Sequence, residues 1–222
     1  MNERTRAEEH LRVIRSLMER ATVYRAISAP TALIGGLLAL ASSFTIWLLD
    51  RSHAAAGAPG FNARHFAAIW LTNLAIVLAV NAFFLRQEAV KAGRVLLSPG
   101  ARLTIRAVAP CLLIPAATTI WFFRNAEPID EEIMVAVWIM FYGLCLLATA
   151  FFAPRSLIIL GWAFLLSGLA FLFWPKSFGS DPRNLAPDLA MGATFGVYHL
   201  IYAVAVWSKA AKAPAPEVLV PE

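Results

Sequence analysis

The sequence predicts an all-α fold: a polytopic membrane bundle of six transmembrane helices, preceded by an amphipathic cytoplasmic or interfacial helix. Three observations carry that expectation. Of 222 residues, 59% are hydrophobic and 15% charged, whereas a soluble domain carries about 25% charge. The mean hydropathy is +0.66, more apolar surface than a water-soluble particle of this size can hide. Six apolar segments also have about the length, roughly 20 residues, that a helix needs to cross a hydrocarbon core.

The spans are read at 27–49, 65–85, 105–123, 133–153, 156–174 and 189–207. In lipid the backbone polar groups must be paired within each segment, which makes them helices, and the alternation of barrel strands is absent. The chain then divides into an amphipathic N-terminal helix at 1–26, a transmembrane bundle at 27–207 and a disordered cytoplasmic tail at 208–222. The first span is read as a true span. Its apolar run exceeds the roughly 7–15 residues of a signal peptide, and Ala54-Ala55-Ala56-Gly57 reads as a loop.

Before the first span, Thr5-Arg6-Ala7-Glu8 has capping-box spacing. Leu11, Ile14, Leu17, Met18 and Ala21 then recur at helical spacing, with Glu8 and Arg12 as an i,i+4 pair. Such a helix lies on an anionic leaflet, its arginines meeting head groups, or it docks a second copy of the chain or a cytoplasmic protein. Lipid explains the pattern sufficiently. Ala29-Pro30 marks a break before the membrane. Residues 87–97 read as a second short interfacial helix, ended by a turn at Ser98-Pro99-Gly100. Glu127, Asp130, Glu131 and Glu132 precede the fourth span, where acidic side chains complement a helix dipole. The proline-rich tail lacks the apolar residues to pack.

Charge placement gives an orientation. Fourteen of the 19 Lys and Arg residues fall on the side of the N terminus, and five (Arg51, Arg64, Arg124, Lys176, Arg183) on the other. Both termini are therefore expected in the cytoplasm. Trp47, Trp70, Trp121, Trp138 and Trp174 cluster at the predicted outer ends, as interfacial indoles do. The expected location is the plasma membrane, or the inner membrane of a prokaryote. With the basic residues spent on flanking spans, the net charge of +5 gives no reason to expect nucleic acid. Cys111 and Cys145 lie inside apolar segments and read as buried hydrophobes.

Ionisable residues within a span raise a functional hypothesis by default. His199 is the main candidate, 11 residues past Asp188, or about 16 Å along an α-helix. At α-helical spacing Gly192, Gly196, His199 and Ala203 share one face, and Gly192-x-x-x-Gly196 permits close helix approach. Gly35, Ala39 and Ser43 form a similar track on the first span. Asn73 and Tyr142 sit at comparable depth, Ser42, Ser43, Thr118, Thr119 and Ser167 approach the same level, and Tyr198 and Tyr202 flank the histidine. The candidate ligand-binding set is His199, Tyr142, Asn73, Tyr198 and Tyr202, lining a polar pocket in the outer half. For the hydroxyls, ordinary interhelical hydrogen bonding is the simpler account. For His199 a structural and a functional role stand side by side.

A match of Trp70 and Asn81-Ala82-Phe83-Phe84 to Trp138 and Thr149-Ala150-Phe151-Phe152 has the form of a hairpin repeat, although chance suffices for a chain of so few residue types. Phosphate-loop, zincin and nucleophile-elbow patterns are missing. A second mid-span histidine and intramembrane carboxylates are missing too. No catalytic residue, metal site or cofactor is expected, and the reading leans away from an enzyme. A sensor or accessory subunit is expected, with a small-molecule transporter or channel as the alternative.

Overall fold

The computed structural model describes residues 8–13, 29–57, 63–91, 93, 99–124, 131–151, 153–173 and 186–211. Five long helices come first: α1 (Ala29–Ala55), α2 (Ala63–Lys91), α3 (Pro99–Arg124), α4 (Glu131–Ala148) and α5 (Arg155–Leu172). The last span is composite: α6 (Ala186–Met191), a π-helical stretch Gly192–Tyr198 and α7 (His199–Ala211). Six spans are long and apolar enough to cross a membrane, and no strand occurs among the described residues. The chain has the all-α, multi-pass architecture that its apolar pattern predicts.

Helix starts follow proline chemistry. Pro30 and Pro99 stand in the first turns of α1 and α3, where the missing N–H costs no intrahelical bond. Pro110 and Pro115 lie inside α3 and remove two rungs of its ladder. Thr118 and Thr119 donate back to the carbonyl of Pro115 at 3.0 and 2.6 Å, keeping both hydroxyls satisfied on an apolar helix.

Close backbone approach builds the core. The α4–α5 hairpin is tightest. A Cβ on Gly143 would stand 2.7 Å from the Gly161 carbonyl oxygen, and one on Gly168 would stand 2.9 Å from the Met140 amide nitrogen. The composite span lies antiparallel to α1, with Gly192 against Ser43, Gly196 against Leu40 and Gly36 against Gly196. Small residues allow such contact where lipid offers no hydrophobic drive to helix association. The end where α1 finishes and α2 begins is termed distal, and the end bearing Ala29 and Ala211 proximal.

The two peripheral helices join the core only toward the distal end. Phe66, Ala67, Trp70 and Asn73 are the buried residues of α2, and Thr119 and Phe122 those of α3, among the described residues. Ile46, Met134, Ile139, Leu157, Phe164, Met191 and Ala203 fill the centre. Phe44, Leu113 and Val204 are among many large apolar residues on the exterior, as a lipid-facing surface requires.

Several boundaries differ from expectation. Residues 87–91 prolong α2 without a break rather than opening a separate helix, and Gly93 turns the chain at φ +59°. Pro99 and Gly100 open α3 instead of forming a turn. The fourth span ends at Ala148, and residues 149–151 form a turn. The matched stretches of the hairpin repeat thus differ in local structure: residues 81–84 are helical while 149–151 are not. The final helix continues to Ala211, past the expected start of the tail at 208. Within the amphipathic N-terminal segment, residues 8–13 are helical and exposed. The rest of that segment, residues 27–28 and the residues beyond Ala211 lie outside the described residues.

Candidate functional site: a histidine in an aromatic layer

The π-helical stretch decides where His199 points. Hydrogen bonds of the i→i+5 type widen the turn and rotate everything after it relative to an α-helix. Gly192 and Gly196 therefore keep their contact with α1, while His199 faces α4 and α5. The expected single face of Gly192, Gly196 and His199 does not form. The glycine track does meet the first span, but on Gly36, Leu40 and Ser43; Gly35 packs instead toward Val77 of α2.

His199 is held at both ring nitrogens. Its Nδ1 lies 2.9 Å from the Phe195 carbonyl oxygen, which can only accept, so Nδ1 carries the proton. In the neutral ring Nε2 then accepts, and the Tyr142 hydroxyl donates to it at 2.7 Å. Hydrogen bonds fix the tautomer here as they do for any buried imidazole.

Phenylalanines complete the layer. Phe164 is fully buried, with its ring centroid 4.7 Å from Tyr142, 5.1 Å from Phe195 and 5.5 Å from His199. Tyr198 meets the same ring edge-on at 5.6 Å, and its hydroxyl pairs with Ser167 Oγ at 2.8 Å. Phe195 reaches Trp70 of α2 at 6.4 Å. These tilted and edge-to-face geometries are the favoured ones for aromatic pairs.

Of the five candidate residues, the structure thus brings together His199, Tyr142 and Tyr198. Asn73 forms a separate pair, its Nδ2 donating to Ser42 Oγ at 2.8 Å. Tyr202 is buried in the core. Thr119 accepts from Trp138 Nε1 at 2.9 Å, and Ser43 donates to the Asp188 carbonyl at 2.9 Å. The polar groups are distributed as paired contacts between helices.

The tryptophan pattern is also corrected. Trp70 is buried and Trp138 half-buried and bonded inward, so neither serves an interfacial belt. Trp47 lies under the Arg51 guanidinium at 4.6 Å, and Trp121 is exposed. Among the described residues, buried polar atoms without a hydrogen-bond partner include Trp70 Nε1, Asn81 Oδ1 and Asp188 Oδ1. Among the described residues no group of three His, Cys, Asp or Glu side chains is placed to share a metal ion, and Cys111 and Cys145 are free thiols.

Sequence reasoning missed Phe164, Phe195 and the inward role of Trp70, because an apolar ring in an apolar span carries no contrast. It also passed over Asp188, which served only as the reference point for the depth of His199. The seven-residue spacing shared by Gly161 and Gly168, and by Ala136 and Gly143, was a readable signal of the α4–α5 contact.

Compared with family models, curated proteins and solved structures, the chain matches none. What the fold and site define is a class: a six-span membrane protein whose last span is π-helical where it meets an aromatic layer around one histidine.

Proposed function

We propose that the protein is a non-enzymatic sensor or accessory subunit of the plasma membrane, or of the inner membrane in a prokaryote. Both termini are cytoplasmic and the distal end faces outward, by the distribution of Lys and Arg. A ligand engages the distal half of the bundle, and the amphipathic helix at 1–26 presents the response to a second copy or to a cytoplasmic protein.

The observation that carries this reading is the closed chain from Phe195 through His199 to Tyr142. Every polar atom in that chain has its partner, so it supplies neither a poised base nor a nucleophile. The rings around it pack as a plug. A closed layer of this kind transmits a change in helix packing better than it conducts a solute. The alternative, a small-molecule transporter or channel, is favoured by the π-helical stretch, since such a turn can return to α-helix and re-aim His199.

The test is recovery of a stoichiometric soluble partner with the full chain and with a chain lacking residues 2–20. Recovery that depends on those residues supports the sensor reading. Solute movement across reconstituted vesicles, with no such partner, overturns it in favour of transport.

A further inference from the structure

Three carboxylates gather at the distal end from three different helices. Asp50 stands in the penultimate turn of α1, Glu131 opens α4, and Asp188 stands in α6. α6 packs against both α1 and α4, and the charges of Glu131 and Asp50 both act on Asp188. Each acidic residue lies about one turn from a buried apolar residue of the central core: Ile46, Met134 and Met191.

Asp188 is the unusual member. It is only 7% exposed, and its Oδ1 is buried without a hydrogen-bond partner. A carboxylate oxygen in that condition is costly unless something compensates it. Its backbone is pinned, because Ser43 Oγ donates to its carbonyl. The absence of a Cβ at Gly192 leaves Ser43 the room to do so, since that Cβ would meet Ser43 Oγ at 2.7 Å. The backbone of Asp188 is thus held against α1.

We propose that Asp188 is the counter-ion of a binding site for an organic cation bearing a primary ammonium group, with Glu131 and Asp50 supplying the surrounding negative field. The inference rests on reading the distal half as ligand-facing. An ammonium group fits better than a metal ion. It needs one strong acceptor and a favourable field, whereas a metal needs several converging donors, and no group of three suitable side chains converges among the described residues.

The experiment is calorimetric titration of the full chain in phosphatidylcholine nanodiscs with butylammonium, with butanol as the neutral control and Ca2+ as the metal arm. The expected result is saturable binding of butylammonium alone, weakened at least tenfold by Asp188→Asn and severalfold by Glu131→Gln. Helical circular dichroism and gel-filtration profiles identify any variant that fails to fold, and Glu131→Gln keeps the test open in that event. Equal binding by a folded Asp188→Asn, preference for Ca2+, or no butylammonium binding overturns the inference. If it is overturned while partner recovery still depends on residues 2–20, the sensor reading stands. If binding holds and partner recovery fails, the cation site stands without it.

Discussion

Tyr142 and His199 lie 57 residues apart in the chain and meet at 2.7 Å, hydroxyl to Nε2. The contact joins α4 to the last span directly after its π-helical stretch. Because the Phe195 carbonyl fixes the proton on Nδ1, the tyrosine must be the donor. One hydrogen bond thereby ties the geometry of an irregular helix to the position of its neighbour.

Removing that hydroxyl leaves Nε2 without a donor. Hydrogen bonds between membrane helices average about 0.6 kcal/mol and reach about 1.7 kcal/mol in double-mutant cycles. Tyr142→Phe, His199→Phe and the double variant should therefore show a coupling in that range, read from unfolding in detergent. Additive effects would mean that the pair does not form.

Ser167 and Tyr198 offer a matched control within the same layer. Either Ser167→Ala or Tyr198→Phe alone strands one hydroxyl, at a cost of about 1–3 kcal/mol if it stays buried. The double variant should cost less than the sum of the singles. A double variant as damaging as that sum would show that the two hydroxyls act independently.

The glycines make a graded prediction. Gly143→Ala places a methyl group 2.7 Å from backbone atoms of α5, which cannot move without separating the helices. The expected loss is about 1–3 kcal/mol, the usual cost of overpacking. Gly35→Ala meets Val77 at 3.5 Å, an ordinary contact, and should be close to neutral. Thermal unfolding of the two variants side by side checks the order.

Much of this architecture was legible in the sequence, and the reason is physical. Lipid demands about 20 apolar residues per helix, so the six spans show as composition alone. The Gly192–Gly196 contact with the first span was also readable, since small residues are the means of close approach. The orientation of His199 was not. It depends on a change of helical period within Gly192–Tyr198, and the residues there would suit an α-helix equally well. Phe164 and Phe195 were invisible for a related reason: inside a membrane protein, a core-facing phenylalanine and a lipid-facing one have the same surroundings by polarity.

The proposed orientation has its own check. In a chain carrying Cys111→Ala and Cys145→Ala, a single cysteine is placed at Ala56 or at Lys91, both exposed and at opposite ends of the bundle. A membrane-impermeant maleimide applied to intact cells should label Ala56→Cys and spare Lys91→Cys until the cells are opened. The reverse pattern would turn the bundle over and place the acidic cluster in the cytoplasm.

The central claim is that the histidine of the last span is closed off by its own neighbours, with both ring nitrogens in use. Nitrogen-15 spectroscopy of the labelled imidazole, with the chain in nanodiscs at neutral pH, tests it directly. The account predicts a protonated Nδ1 and an unprotonated, hydrogen-bonded Nε2, with the Nε2 shift moving on Tyr142→Phe. A proton on Nε2, or a spectrum that ignores the loss of the tyrosine hydroxyl, would contradict it.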